Sequence, residues 1–182
     1  MMSEVKINFS TLPRVQLPSI ELAFIERGQD GPLVLCLHGF PDNATTWLPT
    51  LDRLAAQGYR AIAPFMRGYY PSAVAQNGDY SVVTLAQDVL DLIEHFGKAD
   101  ASGNKSAIMI GHDWGGLAAY TAANMAPEKI SKLVVAGAPH MHKAPFTFGQ
   151  LFKSWYVLLF QLPWLPEWLV SRNRFRFLDV LY

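Results

Sequence analysis

The sequence predicts an α/β fold, a mostly parallel sheet covered by helices on both faces. Two observations carry this. Short apolar runs, "LVLCLHG" (33–39), "YRAIAPF" (59–65), "SAIMIG" (106–111) and "ISKLVVAGAP" (130–139), read as strands buried on both faces. Helical patterns alternate with them, and strand–helix alternation implies parallel strands joined by crossovers.

Taken in order, "VKINFS" and "IELAFIERG", separated by Pro13 and Pro18, have the short alternating runs of an antiparallel hairpin. The first buried strand follows at 33–39. In "TTWLPTLDRLAAQG", Trp47, Leu51 and Leu54 recur at helical spacing and Gly58 can end the helix. After the second strand, "SVVTLAQDVLDLIEHFG" (81–97) is an amphipathic helix, with Ser81 able to cap it and Gly97 ending it. The third strand stops at Gly111 and a small-residue helix follows. The fourth strand ends near Pro139. Beyond it the alternation ceases and the chain becomes aromatic-rich and helical. The expected organisation is therefore residues 1–139 as core and 140–182 as the start of a separate cap or lid.

Composition bounds the function. The chain has 182 residues, 51% hydrophobic and 16% charged, which describes a globular domain able to bury a sizeable core. Fifteen basic and fifteen acidic residues cancel, so nothing points to nucleic acid or an anionic membrane as partner. The single cysteine, Cys36, lies within an apolar strand, excludes a disulfide and fits a cytoplasmic setting. "MMSEVKINFS" lacks the basic and apolar regions of a signal peptide. "WYVLLFQLPWLPEWLV" (155–170) is apolar, but it is too short to span a membrane. Gln161, Pro163, Pro166 and Glu167 interrupt it, so it reads as a lid.

The chemistry concentrates at Gly111-His112-Asp113-Trp114-Gly115, between a strand and a helix. Gly-x-nucleophile-x-Gly is a nucleophile elbow, and the glycines let the central side chain project from the sheet. A carboxylate there is ionised at neutral pH without help from a base, and the N–H groups opening the next helix favour an anion. It can attack a saturated carbon and leave an alkyl ester. Water must then cleave that ester, which needs a general base and an oxyanion hole. One oxyanion donor would be the N–H of Trp114 and the other that of Phe40 in "HGFP", where Gly39 and Pro41 fix the loop and the Phe40–Pro41 bond is open to a cis form. Ligands of such sheets bind beyond the carboxyl ends of the strands, so "HGFP" and Asp113 should share one rim.

"LHGFPD", "RGYYPS", "GHDWGG" and "SWYVLLFQLPWLPE", in that order, resemble the α/β-hydrolase superfamily and its soluble epoxide hydrolase branch, from about Val15 to Tyr182. The resemblance implies an α/β-hydrolase fold, Asp113 as nucleophile and a cap tyrosine, Tyr156, that donates a proton to the epoxide oxygen. It implies a small apolar substrate and water as reactants, and no cofactor. "FMRGYYPS" departs from the family pattern: Phe65 stands where the family often has Asp, and Tyr70 where it has Gly. The family also supplies an acid and a histidine after the nucleophile. Here only His140 and His142 follow, and "GAPHMHK" carries no carboxylate. The expectation is a chain that lacks the last strands and the base, and so completes only the first half-reaction.

The other histidines have ordinary readings. His38 is expected to hydrogen-bond the oxyanion loop, His112 to pack within the elbow and His95 to sit favourably at a helix C-terminus. His140 and His142 have no third partner to make a metal site. Haloalkane dehalogenation, with the Trp114 indole binding halide, is the alternative enzyme. A non-catalytic ligand-binding member of the fold is the reading outside enzymes. Phe40 and Tyr156 favour epoxides.

Overall fold

The computed structural model of the protein describes residues 7–138, together with Trp164, Leu165, Trp168 and Ser171. The chain divides into two compact units, Met1–Ala138 and Pro139–Tyr182. Of the second, the described residues show helical backbone at Leu165, Trp168 and Ser171, with the Trp168 N–H donating to Trp164 O at 3.0 Å.

In the first unit the strands are β1 (Arg14–Gln16), β2 (Glu21–Arg27), β3 (Leu33–Leu37), β4 (Arg60–Pro64), β5 (Ala107–His112) and β6 (Ile130–Ala136). The helices are α1 (Leu48–Ala56), α2 (Val82–Phe96) and α3 (Trp114–Met125). The sheet order is β1-β2-β4-β3-β5-β6. β1 pairs antiparallel with β2, and β2 with β4, while β4, β3, β5 and β6 run parallel.

Period-two alternation sorts the parallel strands onto two faces. Leu33, Leu35 and Leu37 of β3, with Ile62 and Met109, meet α2 and α3 in one core cluster that includes Leu92, Ile93 and Ala118. Val34 and Cys36, with Ala61 and Ala63, meet Leu51 of α1 in the other. α2 begins where Ser81 accepts from the Thr84 N–H, and Gly97 ends it. α1 starts one turn late, because Asn43 caps a short 3-10 turn (Ala44–Trp47) through the Thr45 N–H.

Two expectations need correction. In the N-terminal hairpin the strand paired with β2 is β1, and of "VKINFS" the described residues 7–10 form no strand: Phe9–Thr11 is a 3-10 turn capped by Asn8, whose side chain accepts from the Ser10 N–H. Asn competes well for a local backbone donor, and that wins over a weak alternating pattern. Nor is 130–139 a strand buried on both faces. β6 carries no fully buried residue, and Val134 is 54% exposed. It is the terminal strand among the described residues, so its apolar sequence meets a neighbour on one side only.

Candidate active site

The carboxyl ends of β3 and β5 bring two loops together. Asp113, between β5 and α3, has φ 51° and ψ −120°, a combination few non-glycine residues adopt. Its N–H donates to Ala136 O at 3.2 Å, and its carbonyl accepts from the Leu117 N–H at 3.1 Å. The turn is thus tied to β6 and to the first turn of α3. Asp113 stands at the N-cap, yet its side chain makes no capping hydrogen bond. The carboxylate instead faces the loop after β3, where the Phe40 N–H donates to Oδ1 at 2.9 Å.

The flanking glycines serve close approach. A Cβ on Gly115 would lie 2.2 Å from Leu37 O, and one on Gly111 would lie 2.6 Å from Gly115 O. A Cβ on Gly39 would lie 2.4 Å from both Cβ and Oδ1 of Asp113. The strained torsion belongs to Asp113 itself; the glycines let β3, β5 and α3 press together around it. Pro41 follows a cis peptide bond from Phe40.

His38 is buried directly behind the loop. Its Nε2 accepts from the Met66 N–H at 3.1 Å, and its Nδ1 lies 3.1 Å from Gly39 O. Burial lowers its pKa, against the Gly39 hydrogen bond and the charge of Asp42, which raise it. Tyr69 stacks edge-on against the His38 ring with centroids 4.5 Å apart. Burial pushes the Tyr69 phenol up to about 12, aided by the negative charges of Asp113 and Asp42. On the α1 face, His112 Nδ1 lies 3.9 Å from Asp42 Oδ2. These two line an open cleft of about 340 Å³ with His38, Thr46, Trp47, Thr50 and Ala136.

The structure therefore brings together Asp113, Phe40, Gly39, Pro41 and His38, and places Trp114 half-exposed as the first residue of α3. His95 is in the last turn of α2, stacked on Phe96. Tyr156, His140 and His142 lie outside the described residues. Phe65, at the family's aspartate position, is fully buried, and its carbonyl accepts from the Ser72 hydroxyl. Tyr70, at the glycine position, is exposed against Phe9.

Sequence reasoning missed Asp42 and Tyr69, neither of which stands in a spacing that marks it. It also missed the buried pair beneath the loop after β4. Arg67 Nε and Nη2 donate to the two carboxylate oxygens of Asp88 at 2.7 Å each, and Ser19 bridges them. Here a signal existed, since Asp88 falls on the apolar face of α2 and a charge there requires a partner. Among the described residues, no cluster of His, Cys, Asp and Glu is arranged to hold a metal ion, and no helix is long and apolar enough to cross a membrane.

Comparison with known proteins agrees with this architecture. The profile of the alpha/beta hydrolase fold matches residues 32–172. An AB hydrolase superfamily protein, YfhM of Bacillus subtilis, is 39% identical over 156 residues, 83% of this chain and 52% of its own length. Epoxide hydrolase 3 of Mus musculus is 34% identical over 92% of this chain and 46% of its own length. Among solved structures, an inhibitor complex of the Bacillus megaterium epoxide hydrolase has a TM-score of 0.79 at 28% identity, covering 93% of this chain and 58% of that one. The epoxide hydrolase of Vigna radiata has a TM-score of 0.74 at 29% identity, covering 88% and 52%. The chain spans about half the length of the relatives it matches. With the profile matched across most of its residues, and with relatives and structural neighbours that are epoxide hydrolases, the chain belongs to the alpha/beta hydrolase fold family, in its epoxide hydrolase-like branch.

Proposed function

We propose that the protein takes part in epoxide hydrolysis through an ester on Asp113. The observation that carries this reading is the pairing of a strained, uncapped carboxylate with the Phe40 N–H at 2.9 Å. In this reading Oδ1 sits where the oxyanion will form, and Oδ2 attacks a ring carbon of the epoxide. The carbon–oxygen bond of the ring breaks, the released oxygen takes a proton, and a hydroxyalkyl ester forms on Cγ. Water then adds at Cγ, the charge on Oδ1 is held by the Phe40 and Trp114 N–H groups, and the ester bond breaks to release a vicinal diol. The new carboxylate keeps one oxygen from water.

In this reading residues 140–182 belong to a cap, with Tyr156 as proton donor to the epoxide oxygen. His38 is not assigned as the base that activates water, because both of its ring nitrogens are engaged within the fold. The aromatic character of the cap supports a small apolar substrate. A cytoplasmic setting is part of the same reading, and the buried Cys36 thiol, pushed up to about 12 by desolvation, suits an inert core residue.

Incubation with styrene oxide followed by intact-mass spectrometry tests the assignment. The expected result is a mass gain of one epoxide, mapped to Asp113 and absent from Asp113→Asn. Absence of the adduct and of diol with folded wild-type chain would sink the nucleophile. Release of bromide from a bromoalkane with an Asp113 adduct, and no reaction with the epoxide, would redirect the reading to dehalogenation.

A further inference from the structure

The oxyanion donor has a continuous train of hydrogen bonds behind it. The Met66 N–H can only donate, so His38 Nε2, 3.1 Å away, is the acceptor. In a neutral imidazole the proton is then on Nδ1, which donates to Gly39 O at 3.1 Å. That carbonyl belongs to the Gly39–Phe40 peptide, whose N–H leaves from the opposite edge of the same plane and reaches Asp113 Oδ1 at 2.9 Å. Accepting at the oxygen of an amide polarises its N–H, and bonds in series strengthen one another most where water is excluded. His38 is 1% exposed and the Tyr69 ring stands edge-on against it, so the His38 end of the train lies in a dry part of the fold.

We propose that His38, held as the Nδ1–H tautomer by the Met66 amide, is a positioning residue. It orients and polarises the Gly39–Phe40 peptide so that the Phe40 N–H is aimed at Asp113. The inference rests on the reading of that N–H as an oxyanion donor. It also links the β4 loop, through Met66, to the site.

The test combines NMR of the ¹⁵N-labelled chain with alkylation of Asp113 by styrene oxide. In the wild type, Nδ1 of His38 should show a protonated, pyrrole-type shift and Nε2 a pyridine-type shift. His38→Asn places an amide nitrogen near Nδ1 and should retain most of the downfield shift of the Phe40 amide proton and most of the alkylation rate. His38→Gln reaches toward Met66 but loses the donor to Gly39. Its Phe40 amide proton should move upfield, and alkylation should slow about tenfold, because Oδ2 is aimed at the epoxide only while the Phe40 N–H holds Oδ1. An Nε2–H tautomer in the wild type, or Asn and Gln variants that are indistinguishable in the Phe40 shift, would overturn the proposal. Should the wild type fail to alkylate while the tautomer and the Phe40 shifts follow the expected pattern, the epoxide reading falls and the positioning role of His38 stands.

Discussion

The two faces of the sheet are built differently. On one, α2 and α3 lie side by side over β3, β4 and β5, and Leu92, Ile93, Met109 and Ala118 are almost wholly excluded from water. On the other, α1 covers β2 and β4, while Ile108, Ile110 and His112 of β5 are only partly buried and Val134 of β6 is exposed. The chemistry-bearing groups divide along the same line. The closed face holds a bidentate ion pair sealed from solvent; the open face holds the cleft with Asp42, His112 and His38. Asp113 sits at the rim between them, and the glycines allow backbones to close on it from both sides. Stability and chemistry thus draw on different faces, which is what a site needing access and a core needing exclusion each require.

The largest test of that division is Asp88→Ala. Removing one partner of a fully enclosed pair leaves Arg67 charged, with Ser19 and a backbone carbonyl as its remaining partners. The expected loss is about 3–5 kcal/mol, read from urea unfolding at constant m-value. A loss below ~1 kcal/mol would show that water reaches the pair and that the face is not closed.

Next comes Gly39→Ala at the rim. The added methyl would overlap Asp113 Cβ and Oδ1 at 2.4 Å and must drive the carboxylate from the Phe40 N–H. Alkylation of Asp113 by styrene oxide should fall about a hundredfold, the scale of a reacting group displaced by about 1 Å. A variant that alkylates at the wild-type rate would separate the turn at Asp113 from the loop.

What could be read in the sequence follows from how local the cause is. The tight turn at Gly111–Gly115 and the "HGFP" loop were legible because each needs particular residues at fixed spacing, and Ser81 marked the start of α2 by a local hydrogen bond. The burial of β6 was not, because "ISKLVVAGAP" carries the apolar content of a central strand and only tertiary position makes it terminal. β1 was displaced by a cap at Asn8 that binds two residues ahead, a preference stronger than the alternation that suggested a strand. Asp88 was legible but unread, a charge on an apolar helical face.

Acid should act on the open face first. The folded-state pKa of His38 lies below its ordinary value, so the stability it contributes is full above about pH 6.5 and falls as pH drops below that, since the unfolded chain then takes up a proton the folded chain refuses. Asp42, whose charge opposes the shift, and Tyr69 face the ring, and His112 shares the cleft. Between pH 7 and 5 the urea midpoint of the wild type should therefore fall more steeply than that of His38→Asn. Parallel slopes would mean that the ring is protonated without cost in the folded state.

The smallest effect, at Val134, belongs to the most direct comparison of the faces. Leu92→Ala, in the cluster under α2, removes a side chain that is 1% exposed and should cost about 2–5 kcal/mol, because the surrounding helices cannot collapse into the void. Val134→Ala, 54% exposed on β6, removes atoms already in contact with water and should stay within about 0.5 kcal/mol. Both are apolar truncations in or against one sheet, so hydrophobicity alone predicts similar losses and cover alone predicts different ones. A Val134→Ala cost approaching that of Leu92→Ala, measured in the full chain, would mean that the open face is covered in solution by something outside residues 7–138.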